Sequence, residues 1–193
     1  MILHYPIESI QMEQRQQWDK AANYLYDLWK KNPFDKNNLL TAGLEQWYYM
    51  TIYEPIVPSM NILEFDLCMN RLAEIMRFWT ENEPLEAAYL SLFGYCMKVQ
   101  PFWFCLDSQK DDIYAIQAAG MEMIAKAHDL APDDAIISAI ADDSSADRSY
   151  CINELKLWDD CAMRDYFLSV LANPGNTGDG SLCWSGSALD ACV

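Results

Sequence analysis

A helical spacing of apolar residues runs through almost the whole chain. In the segment from Pro58 to Glu81, apolar side chains recur every three or four residues, which places them on one stripe of a helix. The stripe consists of Ile62, Phe65, Met69, Leu72, Met76 and Trp79. A second stripe, in the segment 108–132, consists of Ile113, Ile116, Gly120, Met123, Ala127 and Leu130. No segment alternates as a strand would, so we predict an all-α fold.

The periodicity and the turn residues together predict about seven helices. Their approximate ranges are 8–31, 36–53, 59–81, 84–99, 109–130, 132–141 and 146–172. We interpret residues 53–58 and 99–107 as extended connections. After residue 172 the composition becomes rich in Gly and Ser, which predicts one helical domain over 1–172 and an irregular tail over 173–193.

Two segments of the chain resemble each other at an offset of 51 residues. Each has an acidic residue two positions after a proline, a leucine six positions after the same proline and a glycine ten positions after it. The paired residues are Pro33 and Pro84, Asp35 and Glu86, Leu39 and Leu90, and Gly43 and Gly94. Because glycine costs about 1 kcal/mol relative to alanine inside a helix, we expect these glycines to mark close contacts with neighbouring helices.

A further spacing of small residues, large residues and proline resembles the second helix and following turn of a tetratricopeptide repeat (TPR). It is formed by Gly120, Ile124, Ala127 and Pro132, and is nearly repeated by Ala21, Leu25, Leu28 and Pro33. The resemblance implies stacked antiparallel helical hairpins, which are TPR-like rather than a true array because the offset is 51 residues. Proteins of this family commonly bind a protein partner.

The start of the chain and its cysteines favour a cytoplasmic protein. The first eighteen residues lack the basic start and long apolar core of a signal peptide, and no apolar run is long enough to cross a bilayer. The seven cysteines have no C-x-x-C spacing, and we expect most of them to be small buried residues in a reducing compartment.

The chain is strongly acidic, with a net charge of −16. Residues 1–100 carry thirteen acidic and eight basic side chains, whereas residues 101–193 carry sixteen acidic and five basic ones. A field of this sign repels nucleic acid and anionic membranes and attracts cationic proteins. We therefore expect a basic protein partner and contact with neither nucleic acid nor membrane.

The sequence offers little catalytic chemistry. Only His4 and His128 are histidines, and no nucleotide-binding or zinc-protease motif occurs. The stretch DDSSAD (142–147) resembles the magnesium-binding aspartates of terpenoid synthases, which keeps a Mg²⁺-dependent enzyme open as a third alternative. Helix starts explain three of the four aspartate pairs better, because negative charge is stabilised at a helix N-terminus. We predict no catalytic residue, metal site or cofactor.

In overall character the chain resembles the immunity proteins of bacterial contact-dependent growth inhibition. The resemblance implies a monomer that covers the active site of a basic toxin nuclease, such as a ribonuclease, in a 1:1 complex. A TPR-like adaptor or secretion chaperone is the second alternative. Because turns in stacked hairpins tend to line one edge, we expect acidic helix starts to form one partner-binding face. Its predicted contacts are Asp111, Asp112, Asp133, Asp134, Asp142 and Asp143.

Overall fold

The computed structural model describes residues 1–56, 62–82, 85–105, 112–141 and 148–172. Within these ranges every regular element is helical and no strand occurs, which confirms the all-α prediction. A short 3-10 helix, Pro101–Phe104, lies where an extended connection was predicted. The α-helices of the described residues are α1 (Ile7–Gln14), α2 (Trp18–Lys31), α3 (Lys36–Ile56), α4 (Ile62–Asn82), α5 (Ala87–Val99), α6 (Ile113–Leu130), α7 (Ala135–Ala141), α8 (Arg148–Leu155) and α9 (Ala162–Ala172).

The predicted helix 8–31 is two helices, because the chain turns sharply after α1. Gln16 has a φ of 57°, in the left-handed region. The N–H of Gln17 donates to the carbonyl of Met12 at 2.9 Å, and the N–H of Gln16 donates to that of Glu13 at 2.8 Å. This pair of bonds is a Schellman ending, which usually has glycine at the left-handed position. Glutamine occupies it here, so the sequence contains no signal for the break.

The predicted helix 146–172 is also interrupted, and the N-terminal segment of the chain holds the interruption in place. The indole of Trp158 donates to the carbonyl of Met1 at 3.0 Å. The N–H of Tyr5 donates to Asp159 Oδ2 at 2.8 Å. These contacts span more than 150 residues of sequence, so local periodicity does not reveal them. They separate α8 from α9 and align residues 1–5 along the turn between them.

The core is built around α3, in which every residue from 39 to 51 is buried. A helix that is enclosed on all sides must be contacted by several others, and α3 packs against α2, α4, α5 and α9. The middle of α5, residues 89–96, is buried in the same way. Aromatic side chains fill much of the space, with Trp47 and Tyr166 in edge-to-face contact at a centroid distance of 5.4 Å.

The segments that share the 51-residue offset have similar local structures. Asp35 precedes α3 and accepts the N–H of Asn38 at 2.9 Å, whereas Glu86 precedes α5 without a side-chain cap. The two helix starts lie side by side, because Lys36 Nζ is 2.8 Å from Glu86 Oε2. Leu39 and Leu90 are each 3% exposed. The offset therefore reflects a repeated helix start with its first buried leucine.

Both repeated glycines mark close helix contacts, as predicted. A Cβ atom on Gly43 would lie 2.5 Å from the ring of Phe93. A Cβ on Gly94 would lie 2.7 Å from the carbonyl oxygen of Gly120, and one on Gly120 would lie 2.7 Å from the carbonyl oxygen of Gly94. Since neither backbone can move away from the other cheaply, α5 and α6 pack in direct backbone contact at this crossing.

Consecutive helices pack against each other within α1–α4 and again within α5–α9. Packing of α3 against α5 and α9 joins these groups, and within the second group α5 also packs against α7. The TPR-like form of the stacking stays a prediction. Four cysteines, Cys68, Cys96, Cys151 and Cys161, are free and buried, which agrees with the expectation of small core residues. Among the described helices, none has the length and apolar character needed to cross a membrane.

We predict that Gly94→Ala destabilises the protein by about 1–3 kcal/mol, because the added methyl group meets a backbone carbonyl that has no space to retreat. The gain in helix propensity, about 1 kcal/mol, offsets only part of this strain. Urea unfolding followed by circular dichroism measures the difference. The control is Ala125→Val, which adds apolar volume at an exposed position of α6. Equal or greater stability of Gly94→Ala would contradict the proposed backbone contact.

Candidate protein-binding surface

Asp112 is exposed at the start of α6 and has the local role expected of a helix cap. Its Oδ1 accepts the N–H of Tyr114 at 2.9 Å, which satisfies one of the free donors of the first turn. The cap uses one carboxylate oxygen, and the side chain remains exposed to solvent. Asp111, its predicted companion, lies outside the described residues.

The pair Asp133 and Asp134 is divided between the surface and the interior. Asp134 caps α7, because its Oδ1 accepts the N–H groups of Ile136 and Ile137, each at 3.0 Å. Its Oδ2 lies 2.5 Å from the amino group of Met1, and its side chain is 17% exposed. Asp133 is exposed at the turn between α6 and α7. Only Asp133 of this pair therefore presents its charge outward.

The two other predicted contacts, Asp142 and Asp143, lie outside the described residues. A single face made from all the aspartate pairs accordingly stays a prediction. The pair Asp159 and Asp160 is used within the molecule, since Asp159 accepts the N–H of Tyr5 and Asp160 pairs with Arg164. Two adjacent aspartates in this sequence therefore do not indicate which of the two carboxylates faces solvent.

The exposed side of α6 carries a line of uncovered apolar residues, which we call the outer stripe: Tyr114, Ala118, Met121 and Ala125. Their spacing of four, three and four places them on one face of the helix. Tyr114 is 80% exposed and Met121 is 51% exposed. The opposite side of α6 packs against α5, α7 and the 3-10 helix, so the outer stripe lies away from these neighbours.

Exposed carboxylates lie along one edge and at both ends of the outer stripe and form what we call the acidic border: Asp112, Glu122, Asp129 and Asp133. Glu122 and Asp129 are seven residues apart and follow one edge of the stripe, because a seven-residue step returns to nearly the same side of a helix. Asp112 and Asp133 flank the two ends of α6. Lys126 is exposed on the same helix, so the border is acidic overall with one interspersed cation.

The sequence predicts an inner stripe of α6 but not the outer one; the inner stripe consists of Ile113, Ile116, Gly120, Met123, Ala127 and Leu130. Gly120 and Ala127 are buried as predicted, whereas Leu130 is 49% exposed. The sequence does contain a signal for the outer stripe. Tyr114 and Met121 are large apolar residues that lie seven positions apart, on one side of the helix, and neither belongs to the inner stripe. The small residues Ala118 and Ala125 also lie on the exposed side.

A second unusual feature lies inside the protein, where two glutamates are buried together. Glu13 of α1 is 5% exposed and Glu45 of α3 is fully buried. Glu13 Oε2 accepts the N–H of Ala162 at 2.7 Å, at the start of α9. Both oxygens of Glu45 and Oε1 of Glu13 are buried without a hydrogen-bond donor from any other group of the described residues. Each of these three oxygens can be satisfied only by the other side chain of the pair. Buried carboxylates need partners, so a proton shared between the two side chains best satisfies them.

The surroundings of this pair favour its protonated form. The pKa of Glu13 is raised to about 7, chiefly by burial; the N–H of Ala162 opposes the rise, and the nearby Asp165 adds to it. Burial, followed by repulsion from Glu13, raises the pKa of Glu45 well above its usual range. Tyr5 and Tyr48 lie near the two glutamates, and burial is the main cause that raises their pKa values. Both tyrosines therefore stay neutral, and neither balances a negative charge on the pair.

Neither the surface nor the buried pair forms a recognisable metal centre in the part of the chain that the structure describes. No group of three or more His, Cys, Asp or Glu side chains comes together there in an arrangement that could hold a metal ion. The buried pair joins α1, α3 and α9 and can store a proton, whereas the acidic border and the outer stripe can contact another molecule.

No protein-family model, curated protein or solved structure matches this chain. The class of protein is therefore defined by its own fold: an all-α protein built around a central helix, α3, in which residues 39–51 are all buried. Its described surface includes an apolar helix face bordered by acids.

We predict that the buried glutamates make the protein less stable as pH rises from about 4.5 to above 7. Because their folded-state pKa values are raised, the folded protein holds more protons than the unfolded chain in this window. Stability therefore decreases with pH, by up to about 3 kcal/mol from Glu13. The measurement is urea unfolding at half-unit steps from pH 5 to pH 8.5.

Glu45→Gln should flatten this pH profile and raise stability at pH 8, because its amide can donate to an ionised Glu13. Little change is expected at pH 5, where the wild-type pair holds its proton. The matched control is Glu64→Gln, which removes a charge from an exposed position of α4 and should leave the slope unchanged. Parallel profiles for Glu45→Gln and the wild type would show that the pair does not titrate in this range.

Proposed function

We propose that this protein binds and neutralises a basic protein partner, as an immunity protein of a bacterial toxin does. The observation that supports the proposal is the acidic border: exposed carboxylates concentrated along and around one helix of a chain with a net charge of −16. The proposed target is a nuclease domain, specifically a ribonuclease. An enzyme that holds polyanionic RNA concentrates Lys and Arg around its active site, and this acidic surface complements such a site.

The proposed mechanism has two stages. The acidic field first accelerates encounter with the cationic domain, an effect that decreases with ionic strength. Side chains of the border then pair with active-site Lys or Arg residues and exclude the RNA phosphates from them. The immunity protein needs no chemistry of its own in this mechanism, because steric and electrostatic occupation of the site is sufficient.

An adaptor or secretion chaperone is the second candidate, and the outer stripe is the observation that favours it. An exposed apolar helix face can hold a helical segment of a client protein, largely through apolar contact. Affinity for such a client would depend less on salt than affinity for a nuclease. The partner of an adaptor would also keep its own activity when bound.

We would test the proposed function by co-expressing the tagged protein with the product of the gene immediately upstream. A 1:1 complex with a basic nuclease, whose RNA cleavage is lost in the complex, is the expected result. A complex that retains full activity of the partner would favour the adaptor. Recovery of the protein alone would contradict immunity to that gene product.

The acidic border is tested by neutralising its four carboxylates together, with Asp112→Asn, Glu122→Gln, Asp129→Asn and Asp133→Asn. Asparagine at position 112 keeps a side-chain cap for α6. The expected result is at least a tenfold loss of affinity for the nuclease at low salt, mainly through slower association, with the loss shrinking as salt increases. Surface plasmon resonance at several salt concentrations measures both rates.

A charge-matched control separates a local effect from one of net charge. It neutralises four exposed acids of α2 and α4, with Asp19→Asn, Asp27→Asn, Glu64→Gln and Asp66→Asn. Each quadruple variant changes the net charge equally. If both variants lose affinity to the same extent, the acidic border has no special role and only the overall field of the protein matters.

A further inference from the structure

The outer stripe of α6 has the composition of a contact surface. Tyr and Met are enriched in the buried centres of protein interfaces, and Tyr is common among the residues that contribute most to affinity. Tyr114 and Met121 are largely exposed here and lie about two helical turns apart. The alanines of the stripe, Ala118 and Ala125, leave room between them for a ridge of side chains from another helix.

We propose that the outer stripe is the docking surface for a helix of the partner protein, and that this helix has an apolar ridge with Lys or Arg along one edge. The inference rests on the proposed function and specifies which surface of this protein meets the partner. Apolar residues of the ridge, spaced at i, i+3, i+4 and i+7, pack between Tyr114 and Met121. Their basic neighbours meet Glu122 and Asp129 of the acidic border.

Charge distinguishes this occupant from a second copy of the same chain. A two-fold dimer through the outer stripe would bring identical surfaces together. Glu122 and Asp129 of one copy would then lie near the same acids of the other, with only Lys126 interspersed. Like charges juxtaposed at an interface cost several kcal/mol, so the acidic border disfavours self-association through this face.

The C-terminal segment of the chain is also a poor match for the stripe. Residues 173–193 contain Leu182, Trp184 and Leu189, which could supply apolar contacts. The same segment contains two aspartates and neither lysine nor arginine. It therefore offers no cation to pair with Glu122 and Asp129, whereas a basic helix of another protein does.

The first test uses synthetic peptides and does not require the natural partner. The probe is an eighteen-residue helical peptide, roughly the length of α6, with a leucine and alanine ridge and lysines along one edge. One control peptide has glutamate in place of each lysine, and another has the same composition in scrambled order. Amide resonances of the isotopically labelled full chain report where each peptide binds.

We expect the lysine-edged peptide to perturb the resonances of Tyr114, Ala118, Met121 and Ala125, and the two control peptides to leave them unchanged. Met121→Lys places a cation on the stripe and should weaken peptide binding at least tenfold. Because Met121 is half exposed, the variant should fold normally, and Tyr114→Ala provides a second variant of the same surface. Phe34→Ala, which removes a 72% exposed aromatic ring between α2 and α3, is the matched control and should bind as the wild type does.

Several outcomes would overturn the docking surface. Binding of the lysine-edged peptide elsewhere, equal binding of the scrambled peptide, or unchanged affinity in Met121→Lys would each do so. Self-association lost in Met121→Lys, measured by analytical ultracentrifugation, would assign the stripe to a second copy. A cross-link between Met121, replaced by a photoreactive analogue, and residues 173–193 would assign it to the chain's own C-terminal segment.

The second test distinguishes failure of the docking surface from failure of the proposed function. It repeats the co-expression with Met121→Lys and Phe34→Ala. If the wild type inhibits the nuclease and Met121→Lys inhibits it equally, the function stands and the docking surface is wrong. If the upstream gene product forms no complex but the lysine-edged peptide binds the outer stripe, immunity to that product is wrong and the docking surface stands.

Discussion

The backbone contact between α5 and α6 is the constraint that determines the exposed surface of this protein. The carbonyl oxygens of Gly94 and Gly120 each occupy the space where the other residue would carry a side chain. Since only one rotation of α6 brings Gly120 to the crossing, the contact also determines which residues of α6 point away from it. Ile124 and Ala127 are buried with Gly120, and Tyr114 and Met121 are left on the exposed side.

The two buried glutamates, Glu13 and Glu45, make the interior less stable than an apolar core would be. An apolar pair of similar size would avoid the cost of removing two carboxyl groups from water. Glu13 and Glu45 instead join the first helix to the central one, and Glu13 also binds the start of α9 through the N–H of Ala162. Their directional contacts relate three helices to one another, but this arrangement holds fully only while the pair keeps its proton.

The aspartates divide into two groups with different physical roles. Asp134 caps α7, contacts the amino group of Met1 and is mostly buried, so its charge is balanced within the molecule. Asp112 also caps a helix but stays exposed. Asp133 is exposed as well. A carboxylate can stabilise a helix start and still contribute to the external field, provided that the tertiary structure leaves it in contact with water. In the proposed complex, the partner contacts only the exposed aspartates.

Sequence alone determined the helical class, the inner stripe of α6 and the close contacts at Gly43 and Gly94, because each depends on residues within a few turns of one helix. It did not reveal the end of α1, where Gln16 replaces the expected glycine, or the break between α8 and α9, which depends on contacts with residues 1–5. The pairing of Glu13 with Glu45 and the exposure of the outer stripe were likewise decided by tertiary structure. Local spacing establishes that a helix has two faces, but only packing against distant helices decides which face is covered.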